Sequence, residues 1–135
     1  MTPFGEKVRA LRRERNITQQ DMARALGVSS AYLSALEHGR RGRPTWAMLQ
    51  RIIGYLNVIW DDAEELERLA ELSDPKIVVD TGGLSPVATR LANRLAESIT
   101  SLNGEEVAQV LDTLERVSLS AEARRKARLQ ARRGR

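Results

Sequence analysis

The chain has 135 residues, enough for one ordinary core, or for one small domain with appendages, and too few for two full-sized domains. With 41% hydrophobic and 30% charged residues it has a globular composition; no apolar run reaches the roughly 20 residues needed to cross a bilayer, and the absence of cysteine excludes disulfides and thiolate metal sites. The formal charge of +4 averages over three segments: residues 1–57 carry ten Lys/Arg against four Asp/Glu (+6), 58–118 five against thirteen (−8), and 119–135 seven against one (+6).

In chain order, Phe4, Val8 and Leu11 recur at helical spacing among Lys7, Arg9, Arg12 and Arg13, which predicts an amphipathic helix over residues 3–14. Thr18 and Asp21 form a variant capping box that opens a second, short helix burying Met22, Ala23 and Leu26. Gly27 stops it, because glycine accepts the left-handed conformation that a sharp turn requires, and Ser29 caps a third helix over residues 30–38 that buries Leu33 and Leu36. Gly39 closes that helix, with His38, the sole histidine, expected as a polar group at its C-terminus. After Arg40-Arg41-Gly42-Arg43-Pro44, Thr45 caps a fourth helix with the stripe Leu49, Ile52, Ile53 and Leu56. Trp46 and Trp60 flank this helix and are expected to pack rather than stack on a ligand.

Asp61 and Asp62, each with a glutamate three residues on, begin a fifth helix extending to Ser73-Asp74-Pro75. Lys76 to Asp80 is β-branched and bounded by Pro75 and Gly82-Gly83, so it predicts one short strand, with no second strand in the chain to pair with. Ser85-Pro86 starts a helix with Leu91, Leu95, Ile99 and Leu102 on one stripe, and Asn103 with Glu106 starts another bearing Val107, Val110, Leu111, Leu114 and Val117. From Ala121 to Arg135 there is little to bury, and this arginine-rich tail is expected to fray. The expected organisation is therefore a helical domain over residues 1–73, a strand or linker over 74–83, a second helical segment over 84–118 and a flexible basic tail over 119–135.

The stretch Thr18-Gln19-Gln20-Asp21-Met22-Ala23-Arg24-Ala25-Leu26-Gly27-Val28-Ser29-Ser30-Ala31-Tyr32-Leu33-Ser34-Ala35-Leu36-Glu37-His38-Gly39-Arg40 resembles the Cro/C1-type (XRE) helix-turn-helix family. The resemblance rests on Thr-Gln opening a short helix, small Ala23, Leu-Gly-Val at the turn, Leu33 and Leu36, then Glu37 and Gly39, and it covers residues 3 to about 60. It implies a five-helix, lambda-repressor-like domain over residues 1–73 whose third helix enters the DNA major groove; with the short strand read above and residues 84–118 taken as a helical dimerisation segment, the chain is expected to be mainly all-α. Carried over residue by residue, it implies that Gln19 bonds a phosphate and that Ser30, Ala31, Ser34 and Ala35 face the groove; Ser29 joins them at the helix start. These small side chains include no bidentate base reader, so specificity is expected to draw on Tyr32, on the arginines or on DNA shape. Tyr32 can contact DNA through its hydroxyl or only support the turn, and Arg40, Arg41 and Arg43 are placed to pair phosphate oxygens.

A homodimer on a palindromic operator is expected, because one recognition helix reads only a few base pairs. Its candidate contacts are Leu91, Leu95, Ile99, Val107, Leu111 and Leu114, together with Ile77, Val78 and Val79, which could pair with their copy across a dyad. The basic tail could extend the DNA footprint, aid solubility or meet an acidic partner. No triad, paired-carboxylate or metal-ligand constellation is present, so neither an enzyme nor a metal or other cofactor is expected. With no signal-peptide pattern at Met1, the expected setting is the bacterial cytoplasm, on the nucleoid when DNA-bound. The function these features point to is transcriptional regulation, with repression as the expected sign. An antitoxin that autoregulates through the same domain, and a protein-bridging coactivator module, are the rivals.

Overall fold

Four of the first five helices begin at a hydroxyl side chain that accepts a hydrogen bond from a backbone N–H three residues on, filling one of the donors that a helix start leaves orphaned. In the computed structural model, which describes residues 1–134, Thr2 does this for α1 (Pro3–Glu14) and Thr18 for α2 (Gln19–Leu26). Ser29 and Thr45 do the same for α3 (Ser30–Glu37) and α4 (Trp46–Leu56). The fifth helix, α5 (Asp61–Glu71), follows Trp60 with no side-chain cap; Asp61, Asp62 and Glu64 instead lie in its first turn, where negative charge complements the helix dipole.

These five helices form one compact unit, Met1–Val78. Its core takes Phe4, Val8 and Leu11 from α1, Met22, Ala23 and Leu26 from α2, Leu33 and Leu36 from α3, the Leu49/Ile52/Ile53/Leu56 stripe from α4, and Leu66 and Ala70 from α5. Full burial of one such large aliphatic side chain contributes about 1.5–3 kcal/mol. Arg51 of α4 donates to the carbonyl of Leu26 at the end of α2, so a polar strap accompanies the apolar contact between these helices.

The unit closes differently from the sequence reading at three places. Helix α5 ends at Glu71 rather than running to Pro75; Ser73 turns inward, its hydroxyl accepting from the Phe4 N–H at 2.9 Å and donating to the Leu69 carbonyl. That bond fills an orphan donor of α1 with a residue 69 positions away, which no local pattern encodes. Trp46 and Trp60, expected to pack, are 67% and 81% exposed. The aliphatic stripe of α4 already fills the interior, Trp46 stands at the first position of that helix, and Trp60, with a positive φ (53°), ends a linker from which Val58 enters the core while Ile59 and Trp60 stay exposed.

The second unit runs from Val79 onward and holds α6 (Pro86–Ser98), capped by Ser85, and α7 (Gly104–Arg133), opened by a full capping box between Asn103 and Glu106. No residue of either helix is buried. The described residues are all-α, with seven helices and no strand. The short strand expected at Lys76–Asp80 is absent, because a β-branched run becomes a strand only with a ladder partner and the chain supplies none. The basic tail expected to fray is instead helical as far as Arg133, continuous with α7; Arg135 lies outside the described residues. Between Gly104 and Gly134 no glycine or proline interrupts a run rich in Ala, Arg, Leu and Glu, residues that lose little entropy in a helix. No helix among the described residues is long and apolar enough to cross a membrane.

Candidate nucleic-acid interface

The turn between α2 and α3 is built from backbone preferences and two caps. At Gly27 φ is +69°, and the Val28 N–H returns to the Ala23 carbonyl at 2.9 Å, so α2 ends and the chain reverses within three residues. Ser29 accepts from the Tyr32 N–H at 3.0 Å while its own hydroxyl proton stays available to an external acceptor. On α3, Leu33, Leu36 and Glu37 turn inward, whereas Ala31 is exposed and Ser30, Ser34 and Ala35 are half-buried. The positions Ala31, Ser34, Ala35 and His38, spaced by three and four, share the side of the helix away from the core.

His38 is the one long polar group on that stripe, and the sequence reading assigned it only a capping role. It is the C-cap of α3, and its Nδ1 lies 2.8 Å from the Ser34 carbonyl. A carbonyl oxygen only accepts, so Nδ1 carries the proton and Nε2 of this exposed ring is left as an acceptor with no hydrogen bond among the described residues. The signal that could have revealed it is its spacing, four residues beyond Ser34 and seven beyond Ala31.

Beyond α3 the loop turns twice through left-handed glycines, Gly39 (φ +78°) and Gly42 (φ +72°), with the Arg40 N–H on the Ala35 carbonyl at 2.9 Å and the Gly42 N–H on the Gly39 carbonyl at 3.0 Å. Arg40, Arg41 and Arg43 are exposed and make no ion pair among the described residues. The Arg41 guanidinium lies 4.7 Å from the centroid of the half-buried Tyr32 ring, which also packs on the core. Tyr32 thus supports a cation at the edge of α3, a stacking contact that holds the guanidinium near the helix at little entropic cost.

Glu37 is the hidden centre of this arrangement. Its carboxylate, 2% exposed, receives Arg12 of α1 at 2.8 Å and the Gln19 amide of α2 at 3.2 Å, and its main-chain carbonyl accepts both the N–H and the hydroxyl of Thr2 at 3.0 Å. One residue of α3 therefore ties down the starts of α1 and α2. For Gln19 this means that one amide proton is committed to Glu37, which fixes the side chain at the first turn of α2 with its second proton still free.

The residues suggested for self-association lie elsewhere. Ile77 and Val78 end the first unit and Val79 begins the second, all three exposed; Leu91, Leu95 and Ile99 on α6 and Leu111 and Leu114 on α7 are exposed, and Val107 is half-buried.

Comparison with known proteins places this geometry in context. The helix-turn-helix domain family matches residues 3–74. Three proteins of Bacillus subtilis (strain 168) are similar: the uncharacterized HTH-type transcriptional regulator RghRB, 39% identical over 62 residues; the HTH-type transcriptional repressor RghR, 39% over 61 residues; and the uncharacterized HTH-type transcriptional regulator YazB, 34% over 65 residues. These matches take in 46%, 45% and 48% of the present chain. The chain spans less than half the length of the first two relatives, 45% of each, and 93% of the third. No solved structure matches.

Proposed function

The chain belongs to the helix-turn-helix domain family of Cro/C1 (XRE) type, and from that premise we propose that it is a sequence-specific regulator of transcription, a repressor that acts as a homodimer on a palindromic operator with α3 in the major groove. The observation that carries this reading is the outward stripe of α3, small enough to approach base edges, bordered by three arginines that have no acidic partner among the described residues. Small side chains let a helix sit deep in a groove about 12 Å wide, and cations on the adjoining loop hold it there by pairing phosphates and releasing counterions. Ser30, Ser34 and Ala35 then supply tolerant contacts, Gln19 and Ser29 donate to phosphates, and His38 adds a polar reader. Much of the discrimination comes from DNA shape, which Arg40, Arg41 and Arg43 sense through the backbone.

Fluorescence polarisation with duplex from the chain's own promoter and with a scrambled duplex, across a salt series, tests this. The promoter duplex is expected to bind more tightly. Arg40→Ala, Arg41→Ala and Arg43→Ala are each expected to weaken both duplexes and to reduce the slope of log K against log salt by about 0.9. Equal binding to both duplexes, insensitive to all three arginines, would remove the reading.

The homodimer rests on α6 and α7, whose apolar stripes have no cover within their unit. Exposed apolar area on this scale marks an association surface. Sedimentation velocity at micromolar concentration is expected to give a dimer, and Leu95→Glu with Leu114→Glu a monomer that retains scrambled-duplex binding and loses preference for the promoter. A wild-type monomer under these conditions would rule out the two-fold arrangement.

A further inference from the structure

Helix α7 carries one stripe of three-four spacing along its whole length, and that stripe changes character part-way. Val107, Leu111 and Leu114 make its first half apolar, Ser118 and Ala121 form a transition of small residues, and the same line continues through Arg125, Arg128 and Arg132. Arg124, Lys126 and Arg133 widen the second half on either side, with Leu129 and Glu122 lying between Arg125 and Arg133 on that face and Ala123, Ala127, Gln130 and Ala131 away from it. None of these six cations makes an ion pair among the described residues, all are exposed, and Glu122 is the one acid among residues 121–133.

We propose that the last three turns of α7 are a second DNA-binding element, which engages the phosphates of the duplex independently of sequence; this rests on the DNA-binding reading above and extends its footprint. Three properties select a duplex over other polyanions. From Arg124 to Arg133 the helix rises about 14 Å at ~1.5 Å per residue. That length of duplex carries about eight phosphates at one charge per ~1.7 Å of axis. The cations cover more than half of the helix circumference, which suits a groove with phosphates on both walls, whereas a flat acidic protein surface would engage one side only. The side opposite the arginines offers alanine and glutamine, too little apolar surface to seat the helix in a lipid interface.

The test uses the full chain with Arg124, Arg125, Arg128 and Arg132 all changed to Gln, which keeps side-chain length and helix propensity while removing charge. Far-UV circular dichroism is expected to be unchanged. In the polarisation assay, affinity for promoter and scrambled duplexes is expected to fall in parallel, and the log–log salt slope to shrink by about 0.9 for each of the four arginines that meets a phosphate. A wild-type chain that binds DNA while the variant keeps the same slope overturns this inference alone and leaves the helix-turn-helix reading standing. An unchanged slope together with lost self-association in sedimentation overturns it by assigning these arginines to a protein interface. Absence of DNA binding by the wild-type chain overturns both readings.

Discussion

Glu37→Leu is expected to remove about 3–5 kcal/mol of folding stability, because it strands the buried Arg12 guanidinium, which pairs with no other carboxylate among the described residues. The side chains of the pair are 9% and 2% exposed, and the Nε of Arg12 already lacks a hydrogen-bond partner, so the guanidinium has no spare acceptor to fall back on. Small domains have total stabilities of about 5–15 kcal/mol, so the loss takes a large share of the whole. Arg12→Met should cost a similar amount by leaving the carboxylate with only the Gln19 amide. The informative variant is the double one, Arg12→Met with Glu37→Leu, which removes both charges together with the cost of desolvating them. It should recover most of the loss, since a hydrophobic replacement of a buried pair is often neutral or better. Denaturant midpoints of the four proteins give the coupling directly. Single variants that each cost under about 1 kcal/mol would show that Glu37 is not the tie between α1, α2 and α3, since that is the range of solvent-exposed pairs.

What the sequence discloses of this fold is what is written in local chemistry. Thr18 and Asp21, Gly27 and Ser29, and Ser85-Pro86 sit at helix boundaries because caps and left-handed turns depend on one or two neighbours. The stripes of α1 to α4 are equally readable because a helix brings residues three and four apart onto one face. What stays hidden is set by partners distant in sequence or absent from it. Glu37 reads as a family signature, yet its burial follows from Arg12, 25 residues earlier; Ser73 reads as the end of a helix, yet it serves Phe4. The β-branched run at Ile77 to Val79 follows strand propensity with no ladder to join, and Trp46 and Trp60 follow the tendency of large rings to be buried although their positions point outward. In the candidate interface, the arginines and the small face of α3 come from the sequence, while the pairing of Arg41 with Tyr32 and the bond from His38 Nδ1 to the Ser34 carbonyl come from the geometry.

The second large effect concerns a residue that has no side chain. In α1, alanine in place of glycine would ordinarily stabilise a helix by about 0.5–1 kcal/mol through the lower entropy of the unfolded chain. At Gly5 a Cβ would stand 2.0 Å from the Glu37 carbonyl oxygen and 2.7 Å from its carbon, so the methyl group meets main chain rather than a side chain that could swing aside. Relief requires α1 to move away from the end of α3. That movement pulls on the Thr2 N–H and hydroxyl, both held at 3.0 Å by the same carbonyl, and on the Arg12–Glu37 pair beyond them. Overpacking costs about 1–3 kcal/mol, and each strained hydrogen bond adds about 0.5–1.5 kcal/mol. Gly5→Ala is therefore expected to destabilise the domain by about 3 kcal/mol or more, with the sign reversed from propensity. Gly54→Ala in α4, where a Cβ meets nothing within 4 Å, provides the matched comparison and should stabilise by about 0.5–1 kcal/mol. Opposite shifts of the two thermal midpoints would establish that the close approach of α1 to α3, and not helix propensity, fixes glycine at position 5. A gain at both sites would mean that α1 can slide along α3 without loss, and the rigid placement of α3 argued from Glu37 would fail with it.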